Sequence, residues 1–172
     1  MTSKHAPVPF EPGKVHVLGP GDWTVGQGSG AIETLLGSCV CVTLWHPGTQ
    51  VGAACHIVLP ETTGRADQDD PRYAEAAMRH MLKAIRRRGA DPKQCQAKVF
   101  GGGRMFDVGG PDIGQRNADA ALRLLQQEGI PLSARCLGRD GYRRIRFDLS
   151  DGAVLQRFDR VRPIDDSEGA PA

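Results

Sequence analysis

Two side chains in this sequence suit covalent chemistry: Cys39, in Gly37-Ser38-Cys39, and His56, in Cys55-His56-Ile57. A thiol attacks well only as thiolate, and an imidazole can take its proton. The small residues Gly37 and Ser38 suit a sharp turn that exposes the sulfur and leaves backbone N–H groups to hold an oxyanion. A nucleophile of this kind is expected to have a depressed pKa and to react fastest with iodoacetamide near neutral pH. On residue type and spacing alone, other uses stay open. The five cysteines are Cys39, Cys41, Cys55, Cys95 and Cys136, and free cysteines are often buried and inert. Cys39, Cys41, Cys55 and His56 are also zinc-ligand types. Their spacing fits zinc poorly, because in strands Cys39 and Cys41 share a face while adjacent Cys55 and His56 point to opposite faces. No metal and no cofactor are expected.

Gly101-Gly102-Gly103 lacks the Gly-Lys-Ser/Thr ending of a phosphate loop, and no G-x-G-x-x-G opens a helix after it. A tight turn lining a cleft is the expectation there. His16, His46 and His80 show no partners in the sequence and read as surface or packing residues. Cys95 and Cys136 read as structural thiols.

The elements that must position Cys39 and His56 follow from hydrophobic periodicity. Strands are expected at residues 14–18, 40–45 and 51–59, with a short apolar stretch at 32–36 and a glycine-rich loop at 19–30. Asp70 and Pro71 suit the start of a helix in which Tyr73, Ala77, Met81 and Ile85 form one stripe, closed by Gly89. A strand at 97–100 precedes the glycine run. A second helix at 115–128 presents Ala118, Ala121, Leu122 and Leu125, and Gly129 closes it. Strands are expected at 132–137, 144–149 and 153–157, the last two joined through Ser150-Asp151-Gly152. This order suggests mixed β-sheet flanked by two helices.

The 172 residues suit one domain, and 40% apolar content supplies one ordinary core. A net charge of +2 argues against a nucleic-acid binder or membrane-surface protein held by a broad basic face. No run approaches the roughly 18 apolar residues of a membrane span. The odd, irregularly spaced cysteines do not form a disulfide framework. The first 11 residues lack the apolar run of a secretory signal. A cytoplasmic protein with reduced thiols is expected. Residues 1–13, with three prolines, should be loose, and residues 163–172 disordered.

Thr34-Leu35-Leu36-Gly37-Ser38-Cys39-Val40 resembles the signature of the CheD family, the chemoreceptor glutamine deamidases of bacterial chemotaxis. His56, 17 residues on, lies in Cys55-His56-Ile57-Val58-Leu59-Pro60, which is similar to the family's histidine motif. Lys98 to Phe106 and Ile113 to Asn117 also match, in the right order. The resemblance implies an α/β layered sandwich of mixed β-sheet with two main helices, similar to toxin-type cysteine deamidases, over residues 14–162. It implies Cys39 as nucleophile and His56 as base and acid. The family's third residue, a threonine upstream of the cysteine, is best matched by Thr34, with Glu33 at the alternative offset. Gly37 and Ser38 take the oxyanion turn, and Gly101, Gly102 and Gly103 the substrate cleft. Tyr142 departs from the family's glycine pattern. The implied reaction converts receptor glutamines to glutamates through a thioester. The implied partners are chemoreceptor cytoplasmic helices and a CheC-type phosphatase, with no nucleic acid and no membrane insertion. A non-catalytic adaptor and a receptor glutamate methylesterase are the alternative functions.

Overall fold

A computed structural model describes residues 4–62, 64–105 and 112–161. The expected disordered tail at 163–172, the first three residues and Phe106 of the glycine motif lie outside the described residues. In chain order the elements are β1 (Val15–Leu18), β2 (Trp23–Gln27), β3 (Ala31–Leu36), β4 (Val40–His46), β5 (Val51–Ile57), α1 (Ala74–Arg87), β6 (Gln96–Gly101), α2 (Ile113–Gln127), β7 (Leu132–Leu137), β8 (Gly141–Asp148) and β9 (Val154–Arg160). They form two mixed sheets, ordered β1-β3-β8-β9 and β2-β5-β4-β6-β7. Each sheet has one parallel pair, β1–β3 and β6–β7, among antiparallel ones.

The burial patterns set the layer order. β5 is buried at all seven positions, because both faces of its sheet are covered. Its Val51, Ala53, Cys55 and Ile57 join the helices in one core; Ala54 joins Leu18, Ile32, Leu36, Ile145 and Phe147 in a second core between the sheets. β8 instead alternates buried and exposed along its length, so the four-stranded sheet has one face on the core and one in water. The protein is therefore a three-layer sandwich of helices, five-stranded sheet and four-stranded sheet.

Helix α1 buries Ala74, Ala77, Met78, Met81, Leu82 and Ile85 on one stripe. A fully buried Met, Leu or Ile contributes about 1.5–3 kcal/mol, so this stripe anchors the helical layer. The helix begins at Ala74, not at Pro71, and Tyr73 caps it without a side-chain bond. The cause is a strand-like contact: Val58 and Leu59 N–H groups both donate to Arg72 O, and Leu59 bridges Tyr73. That pairing keeps residues 72 and 73 extended, and Asp70 spends its carboxylate on the Arg72 N–H and guanidinium instead. Both helices end as expected. Gly89 and Gly129 have φ of +78° and +68°, and Ala90 and Ile130 donate back to Ile85 and Leu125. This is a left-handed glycine stop that fills otherwise unpaired carbonyls.

Two stretches read as irregular from their composition are ordered by each other. β2 forms inside the glycine-rich segment and pairs with β5. Val8 donates to Trp23 O, Thr24 donates to Val8 O, and Trp23 Nε1 donates to His5 O. The Phe10 ring lies where a Cβ at Gly26 would stand, so that glycine makes room for the N-terminal segment. The prolines there lack N–H groups, but Val8 between them supplies the donor. No helix among the described residues is long and apolar enough to cross a membrane.

Candidate active site

His56 is fixed by the five-stranded sheet. In the β4–β5 register it stands directly opposite Cys41, while Val40 pairs with Ile57. Paired residues share a face, and Cys39 lies two residues before Cys41, so Cys39 leaves the strand on the His56 face. Cys39 packs, half-buried, against the core between the sheets, as Cys41 does; Cys55 lies in the core on the helix side. The expected opposition of Cys55 and His56 is thus present. Among the described residues no three His, Cys, Asp or Glu side chains are grouped to hold a metal.

The imidazole reaches across the gap to the other sheet. Its Nδ1 lies 2.7 Å from Thr34 Oγ1, and that hydroxyl donates to Leu18 O at 2.7 Å. A hydroxyl has one proton, and a carbonyl can only accept. The Thr34 proton therefore goes to Leu18, and His56 Nδ1 must carry the hydrogen between ring and threonine. The neutral ring keeps its lone pair on Nε2. Thr34 is 3% exposed and His56 2%, so water does not compete for the pair. Glu33, the alternative in the sequence, points outward and is bonded to Arg146 at 2.8 Å.

Electrostatics favour neutral groups. Burial pushes His56 down to about 4, against the Asp22 carboxylate and the Leu18 carbonyl, which favour the charged form. Burial pushes Cys39 up from its ordinary value. The expectation of a depressed Cys39 pKa is corrected: burial is the cause that acts on this thiol, and it raises it. Cys55 rises to about 12 and Cys95 to about 11, both by burial first. The one thiol held below its ordinary value is Cys136, among the cysteines whose shift is resolved.

The turn between β3 and β4 is held through three successive carbonyls. Gly103 N donates to Gly37 O at 2.9 Å, Asn117 Nδ2 to Ser38 O at 3.1 Å, and Gly102 N to Cys39 O at 2.9 Å. A peptide is planar, with its N–H opposed to its C=O. Fixing these carbonyls fixes the following N–H groups, those of Ser38, Cys39 and Val40. Asn117 also donates to Val58 O at 3.0 Å, so one buried carboxamide joins the Cys39 turn to the end of the His56 strand. The three glycines of the 101–103 run are buried. They brace this turn. A Cβ at Gly101 would collide with Cys39 O, and one at Gly102 would lie 2.7 Å from Gly114 O. His46, His80 and His16 each have local partners, in Thr49 N, Asp69 O and Glu11 O. Tyr142 is 43% exposed, so the space a glycine would leave is not needed there. A groove of about 700 Å³ between α1 and α2 includes Met78, Leu82 and Leu124, on the far side of the five-stranded sheet from His56.

Sequence comparison adds to this geometry. The sequence model of the family described as CheD chemotactic sensory transduction matches residues 58–158. A protein of Albidiferax ferrireducens named probable chemoreceptor glutamine deamidase CheD 2 is 42% identical over 158 residues, covering 88% of this chain and 90% of that one. The chain belongs to the CheD family. The chemoreceptor glutamine deamidase CheD of Thermotoga maritima is 35% identical over 142 residues, covering 82% of this chain and 90% of its own. A probable chemoreceptor glutamine deamidase CheD of Pseudomonas syringae pv. syringae is 40% identical over 154 residues, or 87% of each chain. The family match begins two residues beyond His56, so the Cys39–His56–Thr34 arrangement is an observation separate from it.

Proposed function

We propose that this protein is a chemoreceptor glutamine deamidase that works through Cys39 and His56. The observation that carries the mechanism is the chain from His56 Nδ1 through Thr34 Oγ1 to Leu18 O, which leaves Nε2 as a base. The names of the relatives supply the substrate class. Both the thiol and the imidazole rest neutral, so the proton moves as the bond forms and no ion pair precedes it. Cys39 sulfur attacks the carboxamide carbon while its proton passes to His56 Nε2. The carbonyl oxygen becomes an oxyanion facing the oriented N–H groups of Ser38 and Cys39. The C–N bond then breaks, and His56 returns the proton to the departing ammonia. Water, deprotonated by the same nitrogen, attacks the thioester; the C–S bond breaks, the sulfur takes back the proton from His56, and glutamate is released. Thr34 is a neutral orienting group that holds the ring in one tautomer.

The substrate is a side chain on the surface of a receptor's cytoplasmic helices, so the enzyme works in the cytoplasm. Each conversion adds one negative charge to such a helix. A CheC-type phosphatase is the second partner that this reading brings, and co-purification with it is the corresponding assay.

The test is incubation with a receptor cytoplasmic fragment, followed by ammonia assay and mass measurement. Release of ammonia with a gain of about 1 Da per converted amide supports the reading, since hydrolysis replaces NH2 by OH. Loss of both in Cys39→Ala is expected. Undiminished ammonia release in that variant removes the mechanism. Methanol release from a methylated fragment without ammonia points to the methylesterase, and neither product with intact receptor binding points to the adaptor.

A further inference from the structure

Cys136 and Arg143 form a pair that the deamidation chemistry does not use. Arg143 on β8 is fully buried. Only its Nη1 is bonded, at 3.4 Å to Gly101 O, and Nε and Nη2 have no partner. A buried guanidinium without an anion is costly, since arginine stays charged and desolvation is paid in full. Its charge acts on the sulfur of Cys136, near the end of β7, and the exposed Arg139 adds a second positive charge. The guanidinium carbons of Arg139 and Arg143 lie 4.6 and 5.0 Å from the centre of the Phe158 ring, which holds both in place. Gln156 Nε2 donates to Cys136 Sγ at 3.2 Å. β7 is an edge strand and Cys136 is half-exposed, so small molecules can reach the sulfur.

We propose that Cys136 is a second reactive thiol, a site of oxidation by hydroperoxides, with the buried Arg143 guanidinium as the counter-charge of its thiolate. Burial alone would raise this thiol. The Gln156 hydrogen bond and the charges of Arg143 and Arg139 outweigh burial and hold it below its ordinary value. The thiolate attacks one oxygen of the peroxide; an S–O bond forms and the O–O bond breaks. Sulfur loses two electrons and becomes a sulfenic acid, while the leaving oxygen takes a proton from solvent and departs as water or an alcohol. Cys136 pairs with Phe100, which pairs with Cys41. Cys41 is thus two strands away, about 10 Å, beyond the reach of a disulfide. The neighbouring strand β6 carries no cysteine, so the sulfenic acid is the product to trap.

The experiment uses the reduced full chain at pH 7 with limiting hydrogen peroxide and dimedone, followed by peptide mass mapping. The Cys136 peptide should take dimedone first, at least about tenfold faster than any of the other four, because its thiol is the one held below its ordinary value. Gln156→Leu, at an exposed position, should slow that labelling about threefold, the worth of one hydrogen bond to sulfur. Arg143→Met should slow it further where circular dichroism shows the native fold. First labelling at Cys39, even labelling of all five cysteines, or wild-type rates at Cys136 in Gln156→Leu would each overturn the proposal. All these readouts are independent of deamidase activity.

Discussion

Cys39 and Cys136 are both half-exposed thiols at the ends of strands in the same sheet, and their surroundings are opposite. Cys39 shares its face of the sheet with an imidazole, and burial raises its thiol. Cys136 has a buried guanidinium and an amide donor but no base; its thiol is lowered. Acidity and catalytic placement have therefore separated in this fold. The cysteine that is easiest to ionise is not the one with a group placed to receive and return a proton. Cys136 is the thiol held low, yet hydrolysis of an amide needs an acid for the leaving ammonia, and in the proposed mechanism that acid is His56.

The comparison breaks most sharply at His56. His56→Gln should lower deamidation by about 10³, within the range for loss of a general acid–base. The same variant should leave the peroxide labelling of Cys136 unchanged. Ammonia release and dimedone labelling measured on one preparation check both halves. Retention of activity would mean that Cys39 does not depend on this base.

A stability measurement sharpens the same contrast. In the folded protein His56 is held near 4, against an ordinary value of 6.5. Between these values the unfolded chain binds the proton and the folded chain does not. Stability from His56 is thus complete above pH 6.5 and falls as pH drops toward 4. A shift of this size corresponds to something on the order of 3 kcal/mol across the window. Urea midpoints at pH 7 and pH 4.5 should separate for the wild type and draw together for His56→Gln.

Much of this arrangement was legible in the sequence, for identifiable reasons. The strand that follows Cys39 and the strand carrying His56 are β-branched or apolar runs ended by Pro and Gly, and such runs announce themselves. The direction of Thr34 was also available. Ile32, Thr34 and Leu36 alternate with Glu33 and Leu35, and the apolar pair names the inward face. Read with that period, Thr34 faces the core and Glu33 faces water. Asn117 was present only as part of a motif, without a role. Its place on the buried face of α2 beside Ala118 and Ala121 is the signal, since a buried carboxamide in a helix needs partners. Other features depend on contacts far apart in the chain. β2 lies among glycines whose purpose, room for Phe10, comes from a segment many residues away. The start of α1 is set by Leu59, and the acidity of Cys136 by Arg143 and Gln156 on other strands. No local pattern carries such information, so Cys136 reads as an inert thiol until the sheets are assembled.

The smallest expected effect concerns Thr34. Thr34→Val keeps the shape of the side chain and removes the acceptor for His56 Nδ1. The resting imidazole loses a neutral hydrogen bond, worth about 1 kcal/mol, and the imidazolium formed during attack loses a charge-assisted one, worth about 2 kcal/mol. The cost common to both states lowers folding stability and leaves the rate alone. Only the difference appears in kcat, about 1 kcal/mol or roughly fivefold, with KM nearly unchanged. Thr34→Ser retains the oxygen and should recover most of the loss. If Thr34→Val instead falls as far as His56→Gln, the threonine does more than orient the ring. If it loses nothing, packing alone holds the imidazole, and the hydrogen bond to Thr34 has no part in the distinction between the two thiols.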